Sequence, residues 1–125
     1  MGYRLEIQGR LASLNEYIAA CRTNPYKGAK LKNKSEELVF EAIRSQLHGV
    51  HINKPIKVEY TWIEPNRKRD LDNVSSFGRK VIQDALVKAR VIKNDGWDDI
   101  VGFSDNFKLD KKKPRIEIHI EEVEK

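Results

Sequence analysis

The chain has 125 residues, a length suited to one domain over residues 1–125, and 24 Lys and Arg against 19 Asp and Glu give a formal net charge of +5. No stretch approaches the roughly 20 apolar residues of a membrane span and the N-terminal segment lacks the apolar core of a secretory signal, so we expect a cytoplasmic protein. The single cysteine, Cys21, excludes an internal disulfide and a thiolate zinc cluster. The positive charge favours a polyanionic partner such as nucleic acid.

The N-terminal segment predicts a strand followed by a short helix. Residues 3–8 alternate between apolar and polar side chains, which is typical of a half-buried strand. Ser13 and Glu16 have the spacing of a capping box, which predicts a short helix that ends near Ala20.

The next segment predicts a loop and then a second helix. Residues 23–34 contain Pro25, Gly28 and spaced lysines at positions 27, 30, 32 and 34, without an apolar repeat, so we expect an exposed basic loop. From Ser35, apolar side chains recur at helical spacing up to Gly49.

The second half of the chain predicts three strands and one long helix. Strands are expected over residues 57–63, 100–108 and 114–121, and a helix over about 73–90. The order β, α, α, β, α, β, β predicts an α+β fold, a small mixed sheet with helices packed on one face. We expect the aromatic side chains of this half to lie in the core rather than to stack on bases, namely Tyr60, Trp62, Phe77, Trp97, Phe103 and Phe107.

Two acids stand at the junction of the second strand and the long helix. Asp70 and Asp72 flank Leu71, so in an extended backbone both carboxylates project to one side. Such a pair suits Mg²⁺, which takes oxygen ligands, but Asp is also a preferred N-cap and the pair could simply cap the helix. A third acid, Asp95, follows the helix and can return to the pair only if the fold brings it back; Asp98 and Asp99 lie close to it in the chain.

Cations surround the two acids. Arg67, Lys68 and Arg69 directly precede them, as a metal-dependent phosphodiesterase would require to dock a phosphate backbone, although a basic triplet can also be a solvated turn. Lys80 lies eight residues after Asp72, about 80° around the helix, where it could reach a scissile phosphate or could be an exposed helix lysine. The candidate DNA contacts are Arg67, Lys68, Arg69, Arg79, Lys30 and Lys32.

These residues together resemble a known family. The run Arg-Lys-Arg-Asp-Leu-Asp-Asn at 67–73, then Lys80, Asp84-Ala85-Leu86 and Asn94-Asp95, is similar to the RusA family of Holliday junction resolvases of phages and prophages. The similarity is strongest over residues 57–105, and Asn15 with Tyr17 resembles an Asn-x-Tyr element near the family's N-terminus.

The resemblance implies a homodimeric, Mg²⁺-dependent, structure-selective endonuclease of DNA recombination and repair that nicks four-way junctions symmetrically. It assigns Asp70, Asp72 and Asp95 to the metal and Lys80 to a catalytic cation. Some members place this lysine one turn after the second Asp, where this chain has Ser76. The alternatives are a non-catalytic basic nucleic-acid-binding module and, more distantly, a metal-dependent nuclease for RNA or flaps.

Overall fold

The computed structural model describes residues 2–124, and their elements follow the predicted order. The chain runs through β1 (Gly2–Gln8), α1 (Leu14–Thr23), α2 (Pro25–Gln46), β2 (Ile56–Glu64), α3 (Leu71–Lys88), β3 (Ile100–Leu109) and β4 (Arg115–Glu122). The strands form one sheet in the order β1-β4-β2-β3, with β2 parallel to β3 and the other neighbours antiparallel. The predicted α+β class with a mixed sheet is confirmed.

The sheet has one apolar face, and the helices cover it. In β4, Ile116, Ile118 and Ile120 are at most 3% exposed and alternate with polar side chains, as the period of two predicted. Because β4 lies between β1 and β2, these isoleucines join the apolar residues of both neighbouring strands. Val39 of α2 and Val81 of α3 close the same core from the helical side.

The predicted exposed basic loop over residues 23–34 is wrong, because most of it is the first half of α2. The helix begins at Pro25, and the Asn24 side chain caps it by accepting a hydrogen bond from the Lys27 amide at 2.9 Å. A Cβ on Gly28 would lie 2.4 Å from the Cys21 sulfur, so this glycine permits the close approach of α1 and α2. Pro at the first turn and Gly at a helix contact are both compatible with a helix, although they resemble loop signals in the sequence.

The capping box of α1 is confirmed. The Ser13 hydroxyl accepts from the Glu16 amide at 3.2 Å, and the Glu16 carboxylate accepts from the Ser13 amide at 2.9 Å. The helix ends at Thr23, three residues beyond the predicted end, and α3 begins two residues earlier than predicted.

The prediction that all six aromatic side chains lie in the core is wrong for two of them. Trp97 is 96% exposed and Phe103 is 53% exposed, whereas Tyr60 and Trp62 are buried. Trp97 lies in the turn before β3, and Phe103 lies on β3, which is an edge strand. No helix in the described part of the chain combines the length and apolar character needed to cross a membrane.

Candidate metal and nucleic-acid site

The two acids of the motif stand at the N-terminus of α3 with free carboxylates. Asp70 is the N-cap residue, and its backbone carbonyl accepts from the Val74 amide at 3.0 Å, but its side chain makes no capping hydrogen bond. Asp72 lies in the first turn, where only its backbone oxygen is engaged, by the Ser76 hydroxyl at 2.8 Å. Both side chains are exposed, and within residues 2–124 neither carboxylate has a hydrogen-bond or ion-pair partner. Capping therefore accounts for the backbone of Asp70 and not for its carboxylate.

A cleft of about 760 Å³ opens beside Asp70. Its polar wall carries Arg67 and Lys108, and Phe107 with Val74 supplies apolar surface. Asp70, which can bind a metal ion, therefore lines the same concave surface as Arg67 and Lys108, which can bind phosphate.

An ion pair that the sequence did not suggest supports the wall of this cleft. The Arg10 guanidinium donates two hydrogen bonds to the Glu64 carboxylate, at 2.6 and 3.2 Å, and Glu64 is only 9% exposed. This bidentate pair fastens the segment after β1 to the end of β2, next to the turn that carries the acids. The two residues are 54 positions apart, so no local pattern could indicate the contact.

The basic turn before α3 divides its three cations between two roles. Arg67 and Lys68 are exposed, and the Lys68 amide donates to the Asn66 side chain at 2.9 Å, which shapes the turn. Arg69 folds inward instead: it donates to the Leu11 carbonyl at 3.1 Å and forms an ion pair with Glu16 of α1. Arg69 therefore holds α1 against the turn, and the other two cations are open to solvent beside Asp70.

The N-terminal Asn-x-Tyr element also lies against this site. The Asn73 side chain accepts from the Asn15 amide at 2.8 Å, and the Tyr17 ring stacks on Phe77 with centroids 4.5 Å apart. Both contacts join α1 to the first two turns of α3. The Asn-x-Tyr element and the start of α3 are far apart in the sequence, but they pack together. Their contacts hold in place the helix that begins at the two acids.

Lys80 makes two ionic contacts on the exposed side of α3. Its ammonium lies 3.1 Å from the Asp84 carboxylate and 3.2 Å from the Asp95 carboxylate. Hydrogen bonds to Asp84 first and to Asp95 second raise the pKa of Lys80 above its ordinary value. The side chain remains 59% exposed, so a phosphate could approach the ammonium.

The structure brings Asp95 to Lys80, and within one chain it does not bring Asp95 to the other two acids. Lys80 is eight residues beyond Asp72, about 12 Å along the helix axis. In the described part of the chain, no group of three or more Asp, Glu, His or Cys side chains lies close enough to hold one metal ion. Within one chain, the candidate catalytic residues therefore form two separate groups: the unpaired acids Asp70 and Asp72, and the ion pair between Lys80 and Asp95.

Arg79, a candidate DNA contact, is built into the fold. Its guanidinium lies 2.6 Å from the Asp105 carboxylate and 4.5 Å from the centre of the Phe103 ring. The Trp62 indole donates to the same carboxylate at 2.9 Å. Burial raises the pKa of nearby Tyr60 to about 12, and its oxygen accepts from Gln83 at 3.3 Å. The side chain of Arg79 is 20% exposed and anchors α3 to the sheet.

The lysines of α2 also fall into two groups. Lys27, Lys30 and Lys34 are exposed and lie within about 60° of one another around the helix, on one outward stripe. Lys32 faces the other side, where its ammonium lies 3.5 Å from Asp84 of α3. Of the two α2 candidates for DNA contacts, Lys30 is therefore free and Lys32 is in an ion pair.

Comparisons with known proteins identify the family of this chain. A family model described as Endodeoxyribonuclease RusA matches residues 10–121. The chain is 38% identical over 82 residues to the crossover junction endodeoxyribonuclease RusA of Aquifex aeolicus (strain VF5), a match that covers 65% of this chain and 61% of that relative's length. Because the family match extends over most of the chain, from before α1 into β4, the chain belongs to the RusA endodeoxyribonuclease family.

Proposed function

We propose that residues 1–125 form one domain of a Mg²⁺-dependent, structure-selective endonuclease that resolves four-way DNA junctions in the cytoplasm during recombination and repair. The observation that carries the proposal is the presence of two free, exposed carboxylates at the start of α3, that of Asp70, which lines the cleft, and that of Asp72 in the first turn. Membership of the RusA family and the name of the Aquifex relative support the same activity.

Asp70 and Asp72 fit a hard divalent cation. Mg²⁺ is commonly held by one or two carboxylates, with water and phosphate oxygens completing its coordination. When bound at such a site, the ion activates water and neutralises charge that develops on the phosphate. Asp95 is the third candidate ligand by family pattern, and in the free chain its carboxylate pairs with Lys80.

The remaining residues of the site would bind and orient the DNA. Arg67 and Lys68 can contact phosphates next to the acids. Lys30 is exposed on the side of α2 turned away from Asp84, where it would contact a separate stretch of DNA. Lys80, an exposed cation, would stabilise charge on the scissile phosphate or the leaving oxygen. Arg69, Arg79 and Lys32 are left out of this set because each is in an ion pair and at most 35% exposed, whereas Lys80 is 59% exposed.

We propose that the active species is a homodimer. A four-way junction with two-fold symmetry can be nicked at two symmetric positions by two sites related by the same symmetry. Two copies of one chain supply such a pair of sites.

The test is cleavage of a labelled synthetic four-way junction, with linear duplex, flap and RNA substrates of matched sequence as controls. We expect paired nicks at symmetric positions in Mg²⁺, and no cleavage in EDTA. Asp70→Asn serves as the matched inactive protein and excludes a contaminating nuclease. Junction binding without cleavage by the native protein in Mg²⁺ would favour a non-catalytic binding module, and preferential cleavage of RNA or flaps would favour the other nuclease class.

A further inference from the structure

Asp84 lies between two lysines on different helices. It follows Lys80 by one turn of α3, and one carboxylate oxygen is 3.1 Å from the Lys80 ammonium. The other oxygen is 3.5 Å from the ammonium of Lys32 on α2. The side chain of Asp84 is 21% exposed, much less than the 59% of Lys80. Asp84 is therefore a partly buried carboxylate that contacts the exposed ammonium of Lys80.

The position of the Lys80 ammonium depends on such contacts. A lysine has a flexible four-carbon stem, and an exposed lysine without partners samples many rotamers. Here Asp84 approaches the ammonium from the helix and Asp95 approaches it from the turn before β3. Asp84 also contacts Lys32, and this second contact restricts the position of the carboxylate that Lys80 meets.

We propose that Asp84 is a positioning residue, which holds the Lys80 ammonium on the exposed side of α3 where it meets the scissile phosphate. The inference rests on the proposed function, in which Lys80 acts on that phosphate. Asp84 does not contact DNA in this arrangement, because its two oxygens face Lys80 and Lys32. When a phosphate replaces Asp95 at the ammonium, the contact with Asp84 can persist and keep the lysine in place.

A double-mutant cycle on the full chain tests this inference. Asp84→Asn, Lys80→Ala and the double variant are compared with the native protein in single-turnover cleavage of the four-way junction at saturating protein. We expect Asp84→Asn to lower the rate about 10-fold to 100-fold, since a misplaced catalytic group costs rate, while the junction Kd stays unchanged. The double variant should be no slower than Lys80→Ala, because Asp84 acts through Lys80.

A role limited to stability gives a different pattern. In that case the rate losses of the two single variants would multiply in the double variant, which overturns the inference. Asp84→Glu keeps a carboxylate within reach of Lys80, so it should recover most of the rate; failure of this variant to exceed Asp84→Asn, with both folded by circular dichroism, also overturns it. If Asp84→Asn unfolds, Asp84→Glu alone decides, since near-native cleavage supports the inference and a rate as low as that of Lys80→Ala overturns it.

The outcomes separate this inference from the proposed function. Native protein that does not cut the junction overturns both. Native protein that cuts, together with a slow Lys80→Ala and a fully active Asp84→Asn, overturns only the role of Asp84.

Discussion

The start and the middle of α3 carry their charged side chains in opposite states. At the N-terminus, Asp70 and Asp72 are exposed and their carboxylates are unpaired within residues 2–124. Two turns further on, Lys80 is exposed as well, but its ammonium contacts Asp84 and Asp95. The first group can accept a cation without competition from another side chain, whereas a phosphate at the second would compete with two carboxylates for the same ammonium.

The surroundings of these two parts of α3 explain this difference. The N-terminus of a helix carries a partial positive charge, which stabilises nearby carboxylates without a side-chain partner. Further along, α3 packs near α2 and the turn before β3, and these elements supply Lys32 and Asp95. The carboxylates at the exposed N-terminus of α3 therefore remain available to a ligand. The Lys80 ammonium, where α3 lies near α2 and the turn before β3, is paired within the fold.

The largest effect is expected at the N-terminal end. Asp70→Asn or Asp72→Asn should lower junction cleavage by orders of magnitude and leave binding intact or stronger, because a negative charge that faces DNA is removed. Cleavage and Kd are measured on the same junction, and Ca²⁺ should support binding without efficient cleavage. Loss of binding together with loss of folding would instead assign the acids to the structure of the helix, and efficient cutting in EDTA would rule out the metal mechanism.

The paired lysine in the middle of α3 should show a smaller effect on the same reaction. Lys80→Ala is expected to lower the single-turnover rate by about 10² to 10³, or roughly 3 to 4 kcal/mol of transition-state stabilisation, without loss of folding or binding. Lys111→Ala, at an exposed lysine in the turn between β3 and β4, is the matched control and should cut at the native rate. If Lys80→Ala cuts as fast as this control, Lys80 is an ordinary surface lysine.

Arg79, next to Lys80, should affect stability rather than DNA affinity. Arg79→Ala removes the ion pair with Asp105 and the contact with Phe103, and we expect a decrease of about 1.5 to 3 kcal/mol in the free energy of unfolding. Urea denaturation measures this decrease, and Arg67→Ala is the matched control because that side chain is exposed and should change stability by less than about 0.5 kcal/mol. If Arg79→Ala keeps the native stability but binds the junction more weakly, Arg79 belongs to the DNA interface.

The smallest effect concerns the basic turn that precedes the free acids. Arg67→Gln and Lys68→Gln should each flatten the dependence of log Kd on log salt by about 0.9, because each variant can no longer neutralise one phosphate. Arg69→Gln should lower stability instead, because Arg69 pairs with Glu16 and the Leu11 carbonyl. Binding titrations across a series of salt concentrations measure the slope, and an unchanged slope in the Arg67 and Lys68 double variant would remove this turn from the DNA surface.

Local patterns in the sequence determined the order of the elements and the position of the acids. Alternation along β4, the capping box at Ser13 and the helical repeat of α3 each depend on residues within a few positions of one another. The same holds for Asp70 and Asp72, whose place at a strand-to-helix corner follows from the elements on either side. Residues 25–34 of α2 were not predicted as helix because Gly28 is the one buried residue among them, and a glycine produces no apolar repeat.

Only the tertiary structure decided which charged groups are free. Arg69 meets Glu16 across 53 positions and Arg79 meets Asp105 across 26, so their pairing within the fold has no local signature. The turn after α3 could have returned Asp95 to the first acids, and the structure places it against Lys80. Helical and strand periods are properties of neighbouring residues, whereas ion pairs between elements depend on the sheet order and on how the helices pack, which only the folded chain establishes.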